Sequence, residues 1–149
     1  VSKLKTITIT YRVRGAQLGS EPEFFVKELD VLAQYGQIVI HLNPYFESGD
    51  DKSPVGKSML FKYTAVHVPT KLGVLYSNNL GALKVQARVL EETFSDHEDW
   101  KSDDYLRSSR VPGLKDVVNA FKDIGPSKRW AALEVCAKTL ERVKGATNV

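Results

Sequence analysis

Between residues 4 and 13 apolar and polar positions alternate, with Ile7, Ile9, Tyr11 and Val13 on one side and Thr6, Thr8, Thr10 and Arg12 on the other. That period of two predicts a half-buried strand. Ser20 followed three residues on by Glu23, then Phe25, Leu29 and Leu32 at helical spacing before Gly36, predicts a helix over about residues 21–35. Alternation returns over 37–42, where Ile38, Ile40 and Leu42 share a face, and predicts a second strand. Residues 43–57 gather Asn, Pro, Ser, Gly and Asp and predict an exposed loop. A third strand is expected over 59–68, with Met59, Phe61, Tyr63 and Ala65 inward. A fourth is expected over 82–90, with Leu83, Val85, Ala87 and Val89 opposed to Lys84, Gln86 and Arg88. Pro69 and Gly73 break the ladder between the last two.

The pattern then changes. Residues 95–113 are polar and acidic, with Trp100 and Tyr105 as candidate anchors, and Ser95 with Glu98 offers a capping box for a short helix. Leu114, Val117, Val118, Phe121 and Ile124 recur at helical spacing up to Gly125-Pro126. Ser127 can cap a final helix whose apolar stripe is Trp130, Leu133, Cys136, Ala137, Leu140 and Val143. Strands and helices do not alternate regularly, which disfavours a parallel doubly wound sheet. The expected fold is α+β: an antiparallel sheet with one helix after the first strand and two carboxyl-terminal helices packed on it.

A length of 149 residues suits one domain spanning 1–149, with the acidic stretch 95–112 as the place for a hinge or loop. The supply of apolar residues, 42%, is enough for a packed core. The single Cys136 cannot form an internal disulfide, which favours a reducing compartment. No apolar run approaches a membrane span. The chain begins at Val1 rather than Met, so an amino-terminal extension is expected in the natural protein. The net charge of +3 is unevenly spread: +4 over residues 1–20, −6 over 91–104 and +5 over 105–149. Basic ends and an acidic belt suit either an anionic surface or self-association of unlike faces.

Motifs for chemistry are sparse. The segment GDDKSPVGKS, residues 49–58, is superficially like a phosphate-binding loop, but six residues separate Gly49 from Gly56 where the motif needs four. His41, His67 and His97 do not share a helical ligand spacing, and no metal site or cofactor is expected. Cys136 falls in an apolar stripe, where a thiol packs and stays inert. Asp96, Glu98, Asp99, Asp103 and Asp104 are crowded without an apolar pocket to raise one pKa, so they are expected to form a solvated face for self-association rather than acid–base machinery. The basic residues Lys3, Lys5, Arg12, Arg14, Lys128, Arg129 and Lys138 are expected to make electrostatic contacts with a membrane or a ribonucleoprotein. Arg142 and Lys144 add to the basic character of the last helix.

The strand LKTITITYRVRG followed by a short helix and a hydrophobic strand, then AVHVPTKLG, then NLGALKVQARVLEETFSD before carboxyl-terminal helices, resembles a rhabdovirus matrix protein over roughly residues 3–96. The resemblance implies a non-enzymatic structural protein of the virion, lying between nucleocapsid and envelope and, in the host, in the cytoplasm and at the inner membrane face. It implies self-association, condensation of the viral nucleocapsid or its RNA, contact with an anionic membrane surface and a part in budding, with no small-molecule substrate. Such roles rest on many weak contacts in a repeated array. Two features of that family are missing from this sequence, a Pro-Pro-x-Tyr motif and a lysine-rich flexible tail. Two other readings stay open: a nucleic-acid-binding module using the basic faces, and a small enzyme or ligand-binding protein whose site is built from loops 43–57 and 69–81 with His41 or His67 beside a carboxylate.

Overall fold

The computed structural model describes residues 3–12, 24–44, 61–125 and 127–147. Strand β1 (Thr6–Arg12) follows the alternation: Ile7 and Ile9 are buried, and Thr6, Thr8 and Thr10 are exposed. Its partner is a strand where a helix was expected. Phe24–Asp30 forms β2, antiparallel to β1, with Ile7 opposite Leu29 and Ile9 opposite Lys27. A short strand, β3 (Ala33–Tyr35), follows it, so the described part of 21–35 contains no helix. The reason is tertiary. Pairing with β1 satisfies the backbone groups of both segments and brings Leu29 against the apolar side of β1, whereas a helix would leave β1 without a ladder.

Strands β3, β4 (Ile38–Leu42), β5 (Tyr63–His67) and β6 (Leu72–Ser77) form a separate antiparallel sheet in the order β3-β4-β5-β6. Gly36 sits at φ +55 in the tight connection from β3 to β4, where a hairpin turn needs a left-handed residue. Segment 72–77, expected only as a broken connection, is a strand: the register shifts between Ala65 and Val66, so Leu75 lies opposite Ala65 while Gly73 lies opposite Val66. The irregularity accommodates the glycine without ending the ladder.

Both faces of this sheet are covered. Val39 and Val66 pack with Ile7 and Ile9 of the β1–β2 hairpin, whereas Ile38, Ile40, Ala65 and Leu75 join the helical core. Four successive residues of β5, Thr64 to His67, are therefore buried, and inward–outward alternation fails there. Phe61, expected inward, is 41% exposed, and Met59 lies outside the described residues.

The segment expected as a fourth strand is helix α1 (Leu80–Phe94). Asn79 caps it, its side-chain oxygen accepting from the Ala82 amide at 2.9 Å. The buried positions Leu83, Gln86, Ala87, Leu90 and Phe94 follow the helical period and face the sheet and later helices. The same residues permit alternation, but Leu, Ala, Lys, Gln, Arg and Glu are good helix formers and fifteen residues make a long strand.

A 3-10 turn at Glu98–Lys101, α2 (Tyr105–Ser108), α3 (Leu114–Ile124) and α4 (Arg129–Thr147) complete the chain, giving an α+β fold with two carboxyl-terminal helices. Ser95 ends α1 and does not start a new helix. Trp100, Ser108 and Val111 anchor the acidic stretch in the body. Helix α3 buries Leu114, Val117 and Phe121, and its carboxyl end is satisfied from α1: the Gln86 amide donates to the carbonyls of Phe121 and Gly125 at 3.2 and 3.3 Å. Helix α4 packs on α3 and α1 with only part of the expected stripe, Cys136 and Leu140, turned to the core. Ala132, Cys136 and Thr139 are buried; Trp130 is 65% and Leu133 41% exposed. Ser127 does not cap it, since the buried Ser127 hydroxyl has no hydrogen-bond partner among the described residues.

Candidate functional site

A groove of about 540 Å³ opens where the β6 edge meets α2 and α3. Leu72, Gly73, Val74 and Tyr76 of β6 form one wall. Leu114, Lys115, Val118, Asn119 and Lys122 of α3 form the other, and Trp100 with His67 lies at the base beside Tyr105 and Ser109. The wall from α3 arises from its periodicity: Leu114 and Val118 extend the apolar stripe, while Lys115, Asn119 and Lys122 lie along its flank. Among the described residues no Asp or Glu lines the groove.

His67 is part of the scaffold at the base. Its Nε2 donates to the Trp100 carbonyl at 2.5 Å, and its Nδ1 meets the Thr70 hydroxyl at 2.8 Å. Burial lowers its pKa, the bond to the Trp100 carbonyl opposing that shift, so the ring is neutral at pH 7 with the proton on Nε2 and Thr70 donating to Nδ1. Its ring packs on the Trp100 indole at 4.5 Å between centroids, and the indole Nε1 donates to Glu91 at 2.6 Å. With both nitrogens engaged, His67 positions the 3-10 turn.

His41 lies elsewhere, buried on the hairpin side of the sheet, where its Nδ1 donates to the Leu42 carbonyl at 3.1 Å and burial again lowers its pKa. Beside it Thr64 donates to Asn43, and Asn43 donates to the Phe61 carbonyl, both at 2.7 Å. No carboxylate joins either histidine among these contacts. Cys136 is buried, its thiol pushed up by burial, with the Thr93 hydroxyl at 3.3 Å. Among the described residues no group of three or more His, Cys, Asp or Glu is placed to hold a metal ion. No helix of the described residues is long and apolar enough to cross a membrane.

The charged residues divide into committed and uncommitted groups. Arg129 pairs with Glu92 at 2.6 Å and holds its carboxyl below the usual range, with Arg88 adding to the effect; Lys138 pairs with Glu134 at 2.8 Å. Asp99 pairs with Arg107 at 2.8 Å, and Asp104 caps α2 by accepting from Leu106. Lys3, Lys5, Lys128, Asp96, Glu98 and Asp103 are exposed. Arg14 and residues 45–60, which include most of the expected loop 43–57, lie outside the described residues, and Arg12 is described only as backbone in β1.

The groove residues Lys115, Asn119, Lys122 and Tyr76 were not singled out by sequence reasoning, and Tyr105, expected as an anchor onto the body, is instead 58% exposed at the groove. The spacing of the first three along one helix was a usable signal, but only the fold shows which elements face them. Comparison with known protein families, with curated proteins and with solved structures finds no match for this chain.

Proposed function

We propose that the protein is a structural protein of the matrix type, which self-associates into an open array and coats anionic partners, a nucleocapsid and an inner membrane face. The observation that carries this reading is the placement of exposed apolar side chains. Phe24 and Val26, 57% and 62% exposed, lie on the outer face of the β1–β2 hairpin, because the opposite side of that hairpin holds Ile7 and Ile9. Trp130 and Leu133 lie on α4, on the helical side of the central sheet. Large exposed apolar groups mark contact surfaces. Unlike patches on opposite sides of a layered molecule suit head-to-tail association, which propagates unless its rotation closes a ring.

The exposed Lys3, Lys5 and Lys128 supply charge toward an anionic partner, and exposed Asp96, Glu98 and Asp103 supply the complementary face between copies. Arg129 and Lys138 contribute less, being paired within the chain. The test is sedimentation velocity across a concentration series at low and moderate salt. Size increasing with concentration is expected, and Val26→Asp and Trp130→Glu should each shorten the oligomers without altering the far-ultraviolet circular dichroism. A strictly monomeric protein under all those conditions would end the proposal.

A further inference from the structure

We propose that the groove between β6, α2 and α3 binds a nucleotide, either free or as one residue of a single strand. Its volume of about 540 Å³ lies within the range of small-ligand sites, roughly 300–1,000 Å³. The lining is selective in charge: among the described residues it holds Lys115 and Lys122 and no acid, although seven acids lie in residues 91–104, the segment that supplies Trp100 to its base. Neither lysine makes an ion pair among the described residues, whereas Arg88, Arg107, Arg129 and Lys138 all do. Two unneutralised cations on one wall of a concave, partly apolar site attract an anion whose other part is apolar or aromatic.

The spacing on α3 sharpens the ligand class. Lys115 and Lys122 are separated by two turns, about 10 Å along the axis, with Asn119 between them on the same flank. That distance accommodates a sugar-phosphate between the two ammonium groups. The Asn119 amide, without a side-chain hydrogen bond among the described residues, offers both a donor and an acceptor to a base edge. Across from them Tyr105 and Tyr76 are 58% and 45% exposed, large aromatic surfaces that a planar base would cover. A simple anion would leave those rings and the Leu72, Val74 and Val118 surface unused.

This inference does not depend on self-association. The test is titration of the full chain, at low salt, with adenosine and uridine monophosphates by calorimetry and with fluorescent ten-residue oligoadenylate and oligouridylate by anisotropy. Lys115→Glu and Lys122→Glu should each weaken binding roughly tenfold or more, while Lys27→Glu, an equal charge change on β2, changes it by less than about twofold. Tyr105→Ala should weaken it roughly fivefold or more through lost stacking. Saturable binding of monophosphates assigns a free-nucleotide site; binding of oligonucleotides alone assigns a strand subsite, in which Lys115→Glu lowers the salt slope by about 0.7. Either supports the proposal. No binding of any of these probes overturns it, as does equal loss with Lys27→Glu. Inorganic phosphate competing as well as a monophosphate, with Tyr105→Ala silent, also overturns it by reducing the groove to an anion site. Sedimentation of the groove variants separates the two readings, since they should self-associate like the parent chain.

Discussion

Replacing Trp100 by alanine removes the side chain that ties the 3-10 turn to the sheet and to α1. Trp100 is 1% exposed and packs with His67 and Phe94. Burial of about 150–250 Å² of aromatic surface at roughly 25 cal/mol per Å² is worth about 4–6 kcal/mol, of which the retained β-carbon keeps a small part. Measured truncations of this kind cost about 3–5 kcal/mol. The variant also loses the indole donor to Glu91, a bond to a charged group worth about 1.5–3 kcal/mol, although half-buried Glu91 recovers much of this from water. The expected loss is about 4–6 kcal/mol, a large share of the roughly 5–15 kcal/mol that holds a domain together. Urea denaturation followed by circular dichroism measures it, and the melting temperature should fall by on the order of 10–20 °C. Trp100→Phe should recover most of the loss, since it restores the ring but not the donor. The remaining Trp130 is 65% exposed, so the blue-shifted native emission should vanish in both variants. A cost below about 1.5 kcal/mol for Trp100→Ala would refute the assignment of Trp100 as the anchor of this region.

Gly36→Ala places a β-carbon at positive φ and 2.0 Å from a Glu91 carboxylate oxygen, the group held by Trp100, so a loss of about 1–3 kcal/mol is expected by urea denaturation; no loss would show that the turn and Glu91 shift freely. His41 and His67 both have folded pKa values lowered by burial, so the unfolded chain binds more protons below its histidine pKa of about 6.5, and stability falls as pH drops through and below that value. The unfolding free energy from urea titration should decrease from pH 7.5 to 5.5, by up to about 1.4 kcal/mol per pH unit for each histidine, and a free energy constant over that window would contradict the neutral buried rings. Cys136 should react with a disulfide reagent at pH 8 only as fast as the native structure opens, and at the rate of an exposed thiol in urea; rapid native labelling would contradict its burial against Thr93.

The parts of the fold legible in the sequence are those where a single face is buried. β1 shows its alternation because threonines meet water and Ile7 and Ile9 meet the sheet, and α3 shows its helical period for the same reason. The errors fall where two patterns coincide. Phe25, Leu29 and Leu32 fit a helix, but only the presence of β1 decides that Phe24–Asp30 pairs as a strand. Leu83, Val85, Ala87 and Val89 fit a strand, while Asn79 and the buried set Leu83, Gln86, Ala87, Leu90 and Phe94 fit the helix that forms. α4 carries apolar residues on more than one side, so the expected stripe shared Cys136 and Leu140 with the packed face but included the exposed Trp130 and Leu133 and missed Ala132 and Thr139. The groove was legible only in fragments, since its walls come from residues 72–76 and 114–122, which no local pattern brings together.

Among the described residues the β1–β2 hairpin shares no backbone ladder with the four-stranded sheet, and it leads into β3 through only Val31 and Leu32. Its attachment is a handful of side chains, chiefly Ile7, Ile9 and Leu29 against Val39 and Val66. The same seat exists on every copy. A hairpin lifted from its own body and laid on a neighbour's would break no interstrand pairing, and a short connector favours such an exchange. Chains linked by reciprocal swapping would be far slower to separate on dilution than chains touching only at their surfaces.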